Sequence, residues 1–313
     1  MAEQSFEVST LRDTQEKENA SIPILTDLQK TEIVSALTSN EVLGEGGYGK
    51  VLKMVHNSKA IAVKITEVQR GIKNDAENEA KCLAKLKSSG MVPELEFFFQ
   101  DGVEYLGMSQ CSQDLYHINH WEKEALQKFL HQGLHALEFC HRQKIVHRDV
   151  KLDNFMVSMP QGPQNSVKIL LCDFGHATTF GREQKRLRST NIFAKTKHST
   201  PDVFGKLLEP FPKDDVVQLS YCVLHAVWHD QADFYGVNKE AKDFKKCLLV
   251  QPQECLSADK QWLLPFFEAL AQSKGKALDY GILKASVQAV CPDSDPKGPL
   301  SLITNAKGEP ELV

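Results

Sequence analysis

A short run of charged and polar residues in the middle of the chain constrains the fold more than any other feature. The run is Val146–His147–Arg148–Asp149–Val150–Lys151–Leu152–Asp153–Asn154, and it follows a long amphipathic helix pattern. Further along, Leu170–Leu171–Cys172–Asp173–Phe174–Gly175 closes an apolar, strand-like run. Asp149 can accept a proton from a hydroxyl group, and Lys151 can neutralise negative charge. Asn154 and Asp173 offer the hard oxygen atoms that Mg²⁺ prefers.

A glycine-rich segment lies nearer the start of the chain, between two strand-like runs. Gly44, Gly46 and Gly49 are followed by Val51 in the pattern GxGxxGxV. Glycines let a backbone approach phosphate oxygens without interference from a Cβ atom. A strand rather than a helix follows the glycines, which disfavours a dinucleotide-binding fold. An ordinary hairpin turn remains the alternative for this segment.

Lys64 lies within an apolar strand pattern, where a charged side chain needs a partner. Burying an amine among apolar neighbours is costly unless an anion meets it. A nucleotide phosphate and a carboxylate from the following helix would supply that charge. Glu79 is preferred over Glu77, because Cys82 and Leu83 follow Glu79 at helical spacing and can face the core.

Taken in order, these motifs resemble the signature of the eukaryotic protein kinases: a glycine-rich loop, a strand lysine, HRDxxxxN and DFG. The resemblance covers roughly residues 38–290. It implies an α+β, bilobal fold with a β-rich N-lobe, one regulatory helix in that lobe, and a mainly α-helical C-lobe. It also implies that ATP binds between the lobes together with Mg²⁺.

The resemblance assigns roles to individual residues. The expected catalytic residues are Asp149, Lys151 and Asn154, and the expected metal ligands are Asn154 and Asp173. The expected nucleotide-binding residues are Gly44, Gly46, Gly49, Val51, Lys64, Glu79, Met108, Gln110 and Cys111. Among these, Met108 precedes a predicted hinge near residues 109–111.

Three segments are similar to the casein kinase 1 and vaccinia-related kinase group. They are HRDVKLDNFMV, Met91–Val92–Pro93, and the helix pattern from Lys213 to Leu224, in which Asp215 would hold the backbone of the catalytic loop. This likeness implies Ser/Thr protein substrates with acidic or already phosphorylated flanks. Six basic residues between Gly181 and His198 favour the same preference.

Two other functions are compatible with parts of this pattern. A pseudokinase, acting as a nucleotide-binding scaffold, would share the fold, although Lys64, Asp149, Asn154 and Asp173 are all present. A small-molecule phosphotransferase of the aminoglycoside type would share the HxDxxxxN pattern. Such enzymes usually lack a full GxGxxG motif, which disfavours them here.

The predicted organisation has three parts. Residues 1–37 form a partly disordered N-terminal extension, residues 38–291 the kinase domain, and residues 292–313 a C-terminal tail. The lobes would meet near residue 110. Asp101–Gly102 predicts a hairpin, and helical patterns cover residues 214–228, 239–249, 260–272 and 280–290.

Composition excludes several classes of protein. The 313 residues carry a formal net charge of −4, so bulk nucleic-acid binding is not expected. No apolar run is long enough for a membrane span, and the N-terminus lacks the pattern of a signal peptide. Eight cysteines occur without a CxxC motif, which predicts free thiols and an intracellular protein, cytoplasmic or nuclear.

Overall fold

The chain is divided between a sheet-rich region and a mainly helical region. The computed structural model describes residues 21–37, 41–46, 49–67, 75–162, 165–179, 211–227, 239–273 and 278–313. Within these residues the strands of the first region precede the long helices of the second. This is the α+β, two-lobed architecture that the motifs predicted.

The N-lobe is built on one antiparallel sheet in the order β1-β2-β3-β5-β4. Its strands are β1 (Val42–Gly46), β2 (Gly49–His56), β3 (Lys59–Glu67), β4 (Leu95–Asp101) and β5 (Val103–Ser109). Helix α2 (Asp75–Leu86) lies between β3 and β4 in the chain. The predicted hairpin at Asp101–Gly102 is confirmed, since Gly102 adopts a φ of 71° between β4 and β5.

The two faces of this sheet have different neighbours, because side chains alternate along each strand. One face carries Leu52, Ile61 and Val63 in an apolar cluster, and Ile33 and Leu37 of helix α1 (Asp27–Leu37) pack against it. The cross-strand register places the residues of the candidate site on the opposite face. Helix α1 therefore covers one face of the sheet, whereas on the other face Lys64 contacts Glu79 of α2.

Six helices build the C-lobe within the described residues. They are α3 (Lys123–Arg142), α4 (Pro212–Val227), α5 (Lys239–Leu248), α6 (Pro252–Cys255), α7 (Leu264–Gln272) and α8 (Tyr280–Val290). The helical spacing predicted for α3 is confirmed, and its core residues are all buried: Leu126, Phe129, Leu130, Leu134 and Leu137. No helix in these ranges combines the length and the hydropathy that crossing a bilayer requires.

Short strands hold the segment that carries the central motifs. Strands β6 (Cys111–Asp114), β9 (Phe155–Ser158) and β11 (Ile169–Leu171) form a sheet in the order β11-β9-β6. Strand β8 (Ile145–Val146) pairs with β12 (Thr178–Thr179). The loop from His147 to Asn154 runs from β8 to β9, so both of its ends are fixed by strand pairing.

The last part of the chain packs on the C-lobe. Strands β13 (Leu300–Thr304) and β14 (Pro310–Leu312) form a hairpin between β10 (Ser166–Val167) and β7 (His120–Trp121). Leu300 and Leu312 are fully buried in the main core. Within the predicted tail of residues 292–313, residues 300–304 and 310–312 therefore form strands that pack on the C-lobe.

The prediction that all cysteines are free is wrong for one pair. Cys247 and Cys255 form a disulfide, and their Cα atoms lie 6.2 Å apart. The end of α5 and the short helix α6 bring the two residues together across a turn, which spacing alone did not reveal. The free cysteines among the described residues are Cys82, Cys111, Cys140, Cys172, Cys222 and Cys291.

Candidate active site

The glycine-rich hairpin joins β1 to β2 at the edge of the N-lobe sheet. Gly44 lies opposite Val51, and Gly46 lies opposite Gly49. Gly49 has a φ of 124°, and a Cβ atom there would come within 2.1 Å of the carbonyl oxygen of Ile65. A Cβ atom at Gly44 would meet nothing within 4 Å. The backbone itself therefore requires glycine at residue 49, whereas packing does not require it at residue 44.

Strand register brings the other N-lobe residues onto one face of the sheet. Val51 lies directly opposite Lys64 on β3, and Ala62 lies opposite Met108 on β5. Directly opposed residues project to the same face, and so do residues two apart on one strand. Val51, Lys64 and Met108 therefore share the face that borders the cleft.

Lys64 contacts two carboxylates at once. Its Nζ atom donates to Oε2 of Glu79 at 2.9 Å and to Oδ1 of Asp173 at 3.3 Å. Glu77, the other carboxylate considered, instead pairs with Lys81 on the exposed side of α2. The contact thus joins strand β3, helix α2 and Asp173, which lies two residues after strand β11.

Charge and burial act in opposite directions on these three groups. Burial alone would lower the pKa of Lys64, but Glu79 and Asp173 raise it above its usual range. Burial raises the pKa of the Glu79 carboxyl despite its contact with Lys64. Burial would also raise the pKa of Asp173, but Lys64 and then His147 and His176 hold it below the usual range. At neutral pH, Lys64 is therefore a cation and Asp173 an anion.

The predicted hinge lies between β5 and β6. The backbone N–H of Gln110 donates to the carbonyl of Ala60 at 3.4 Å, which fixes the hinge to β3. Cys111 opens β6 and pairs with Ser158 on β9. A hydrogen bond with Cys172 lowers the pKa of the Cys111 thiol, against the effect of burial. Burial and the contact with Cys111 raise the pKa of Cys172 well above its usual range.

Two polar side chains, Lys151 and Asn154, contact Asp149, which is buried. Lys151 Nζ lies 3.1 Å from Oδ2 of Asp149. Asn154 Nδ2 donates to the backbone carbonyl of Asp149 at 2.8 Å and to its Oδ2 at 3.3 Å. Burial would lower the pKa of Lys151, but the charge of Asp149 raises it. The expected catalytic residues Asp149, Lys151 and Asn154 therefore form one cluster.

Asp215 on α4 holds the backbone of this loop, as the sequence predicted. Its Oδ2 accepts from the backbone N–H of His147 at 2.7 Å, and its Oδ1 accepts from that of Arg148 at 2.8 Å. Arg148 has a φ of 74°, a left-handed conformation that is unfavourable for a residue with a side chain. The Oε1 of Gln218 accepts from Val150 N–H at 3.0 Å. The buried α4 side chains thus hold the loop in a shape that it would not adopt alone.

The donor atoms near Asp173 fit a divalent cation. The backbone N–H of Cys172, directly before Asp173, donates to the carbonyl of Asn154 at 2.8 Å, which brings the backbones of the two expected ligands close together. Asn154 uses its amide nitrogen on Asp149, so its oxygen atom is turned away from that contact. A carboxylate and an amide oxygen form a donor set that suits Mg²⁺.

The supporting contacts of two residues, Asn78 and His147, were not predicted from the sequence. Asn78, next to Glu79, donates through Nδ2 to the carbonyls of Phe174, Gly175 and Ala177 at 2.9, 3.1 and 3.0 Å. His147 places its ring 4.8 Å from that of Phe174 and contacts the Cys172 carbonyl through Nε2 at 2.9 Å. Both depend on contacts between distant segments, for which the local pattern gives no signal.

Comparisons with known proteins agree with this geometry. A family model described as "Protein kinase domain" matches residues 37–207. The chain is 29% identical over 205 residues to human "Cyclin-dependent kinase-like 5", covering 62% of this chain and 20% of that protein. It is 33% identical over 182 residues to "Cell division control protein 2 homolog 3" of Trypanosoma brucei brucei, covering 52% of this chain and 57% of that protein.

A third relative extends this pattern. "Cyclin-dependent kinase D-1" of Oryza sativa subsp. japonica is 29% identical over 175 residues, covering 53% of this chain and 40% of that protein. The chain thus spans between about a fifth and just over half of the length of these relatives. Their names do not support the expected likeness to the casein kinase 1 and vaccinia-related kinase group. Two of the three segments that suggested it lie in the catalytic loop and α4, where Asp215 holds the loop backbone, and the third, Met91–Val92–Pro93, lies just before β4.

Proposed function

We propose, from the finding that this chain belongs to the protein kinase family, that it is an active serine/threonine kinase. It would transfer the γ-phosphoryl group of ATP to hydroxyl groups of protein substrates. The observation that carries the proposal is the simultaneous contact of Lys64 with Glu79 and Asp173. This contact supports a cleft in which the lysine is charged and oriented for a phosphate oxygen.

Each group of the cluster would have a separate part in the reaction. Asp149 would accept the proton of the substrate hydroxyl as that oxygen attacks the γ-phosphorus. Lys151, 3.1 Å from Asp149, would neutralise charge on the phosphoryl group during transfer. Asn154 and Asp173 would hold Mg²⁺, which when bound offsets the negative charge of the phosphate oxygens. The backbone at Gln110 and Cys111 would receive the adenine ring, below Val51 and beside Met108.

The phosphates of ATP would lie under the hairpin of Gly44, Gly46 and Gly49. The open space around the Cβ position of Gly44 supports this placement, since packing gives no reason for glycine there. Lys64 would contact the phosphates from the sheet. Glu79 would hold the amine of Lys64 in that position.

Substrate choice is a further part of the proposal. Lys151, two residues after Asp149, is typical of Ser/Thr-specific kinases. The basic residues Arg182, Lys185, Arg186, Arg188, Lys195 and Lys197 favour peptides with acidic or phosphorylated flanks. These residues lie outside the part of the chain that the structure describes. The support for this preference therefore comes from their charge alone.

The experiment measures Mg²⁺-dependent transfer of phosphate from ATP to casein by purified protein. Asp149→Asn keeps the shape of the side chain but removes the proton acceptor, and should lower kcat by about 10²- to 10⁴-fold. Lys64→Met should lower kcat/KM by a similar factor. Asp153→Asn, the same change at an exposed neighbour in the same loop, is the matched control and should retain wild-type turnover.

The alternative is a pseudokinase that binds nucleotide without catalysis. Nucleotide binding by the wild-type protein, measured with a fluorescent ATP analogue, combined with an absence of transfer to casein or to a peptide array would establish that function. Wild-type turnover in both Asp149→Asn and Lys64→Met would show instead that the active site lies elsewhere.

An intracellular location, cytoplasmic or nuclear, completes the proposal. The free cysteines support it, because thiols persist in a reducing compartment. The Cys247–Cys255 disulfide opposes it. Mass spectrometry of protein alkylated in intact cells tests the location. Alkylated Cys247 would support a reducing compartment, and an intact Cys247–Cys255 disulfide would contradict it.

A further inference from the structure

A chain of hydrogen bonds connects the last helix of the C-lobe to the catalytic loop. The hydroxyl of Tyr280, the first residue of α8, lies 2.5 Å from Nδ1 of His141 at the end of α3. The other ring nitrogen of His141, Nε2, lies 2.9 Å from Oδ2 of Asp215. That same oxygen accepts the backbone N–H of His147. Residues of three helices, α8, α3 and α4, are therefore connected to the catalytic loop through one buried carboxylate.

The chemistry of the three groups fixes the direction of these bonds. Burial, and then the charge of Asp215, raises the pKa of Tyr280 well above its usual range, so the phenol keeps its proton. The phenol donates this proton to Nδ1 of His141. In the tautomer that carries its proton on Nε2, the His141 ring donates to Asp215. Each donor in the chain thus has one acceptor, and the imidazole ring is held at both of its nitrogen atoms.

Helix α8 is well placed to hold Tyr280 still. Lys284 on α8 contacts Glu138 on α3 at 2.6 Å. Gln127 on α3 donates through Nε2 to the carbonyls of Val287 and Cys291 at the end of α8, each at 2.9 Å. These contacts fix α8 against α3 at points separate from the bond to His141. The Tyr280 hydroxyl can therefore be removed without undocking the helix.

We propose that Tyr280 is a positioning residue for phosphoryl transfer. It orients His141, which orients the Asp215 carboxylate, which in turn holds the strained backbone before Asp149. The inference rests on the proposed function, and it adds a residue of α8, beyond residues 37–207 that the family model matches. Tyr280 acts through other residues and touches neither nucleotide nor substrate, so its effect should fall on kcat.

The test compares Tyr280→Phe with two controls. Tyr280→Phe removes one oxygen atom and should lower kcat about tenfold, with an unchanged KM for ATP. Lys284→Met removes a contact between the same two helices, and Glu138 keeps its contact with Arg142. Tyr105→Phe removes a hydroxyl from the N-lobe, where that ring stacks on Phe99. Both controls should keep the wild-type kcat.

Hydrogen exchange gives a second readout that does not need catalysis. The amides of His147 and Arg148 bond to Asp215, so Tyr280→Phe should speed their exchange about tenfold and leave the N-lobe amides unchanged. In a His141→Gln background, adding Tyr280→Phe should cause no further change in kcat or exchange, since its effect passes through His141. This result would exclude a purely structural role of the tyrosine ring.

The outcomes separate this inference from the proposed function. Unchanged kcat and exchange in Tyr280→Phe would overturn the inference, and so would equal changes in Tyr280→Phe and Lys284→Met. If the wild-type protein transfers no phosphate, the proposed function fails. Faster exchange at His147 and Arg148 in Tyr280→Phe alone would then still support the hydrogen-bonded chain, and unchanged exchange would still overturn it.

Discussion

Two buried carboxylates, one on each side of the cleft, are held in different ways. Asp215 is 0% exposed and accepts hydrogen bonds from His147 N–H, Arg148 N–H and the ring of His141. Glu79 is 2% exposed, and its side-chain contact is with the flexible amine of Lys64, supported by a backbone hydrogen bond from Phe174. The first carboxylate is bound by fixed backbone groups. The second is bound largely by one movable charge.

This difference separates stability from activity in the two lobes. Backbone donors fixed by strand pairing make Asp215 part of the C-lobe fold, because each would be left unsatisfied without it. Burial raises the pKa of Glu79, so its charged form is costly and depends on Lys64. The C-lobe side of the site is therefore rigid, whereas the N-lobe side can be changed by a small movement of α2.

The largest expected effect tests this comparison directly. Asp215→Asn replaces an acceptor oxygen with an NH₂ group among backbone donors, and should lower the free energy of unfolding by about 2–4 kcal/mol. Glu79→Gln should change the free energy of unfolding by less than about 1 kcal/mol, because a neutral group is easier to bury. It should nevertheless lower kcat/KM more than tenfold, since Lys64 loses its partner. Urea unfolding and steady-state kinetics measure the two effects.

Glu77→Gln is the control for the helix substitution. Glu77 lies two residues before Glu79 on α2 and pairs with Lys81 on the exposed side. Its substitution should alter neither stability nor kinetics by a measurable amount. Equal destabilisation by Asp215→Asn and Glu79→Gln would contradict the proposed division between the lobes.

Local spacing was sufficient to find the residues that the structure brings together at the candidate site. The helical phase of α2 selected Glu79 over Glu77, because only one side of a helix can face the core. The strand pattern around Lys64 and the order of the motifs located the cleft. These inferences worked because they depend on residues close in sequence.

Contacts between distant segments could not be obtained in this way. Tyr280 and His141 are 139 residues apart and meet because α8 packs on α3. The hairpin of β13 and β14 pairs with β10 and β7, which come from two other regions of the chain. The alternation of apolar and polar residues within the hairpin does not specify either partner. The likeness of short motifs to the casein kinase 1 and vaccinia-related kinase group was likewise a weak guide, since the names of the relatives do not support it.

The second prediction sharpens the comparison within the glycine-rich hairpin. Gly49→Ala would place a Cβ atom 2.1 Å from the Ile65 carbonyl oxygen at a φ of 124°. It should destabilise the N-lobe by about 2–3 kcal/mol. Gly44→Ala meets no atom within 4 Å and should leave the melting temperature of the protein unchanged. The same variant should weaken ATP binding severalfold if Gly44 lies over the phosphates. Calorimetric titration with ATP measures this affinity. Unchanged ATP affinity in Gly44→Ala would remove that residue from the nucleotide site.

The smallest expected effect concerns two thiols, Cys111 at the hinge and Cys172 on the C-lobe floor. Thiolate is the reactive form of cysteine. The pKa of Cys111 is lowered and that of Cys172 is raised well above its usual range, so iodoacetamide at pH 7 should alkylate Cys111 about tenfold faster or more. The ratio should fall as the pH rises, because the thiolate fraction of Cys111 approaches its limit first. Cys111→Ala removes the hydrogen-bond partner of Cys172 and should speed its alkylation, while ATP should slow alkylation at both cysteines in the wild-type protein. Mass spectrometry of the two cysteine-containing peptides measures the alkylation rate of each residue. A faster reaction at Cys172 than at Cys111 in the wild-type protein would show that burial does not control thiol reactivity on this side of the cleft.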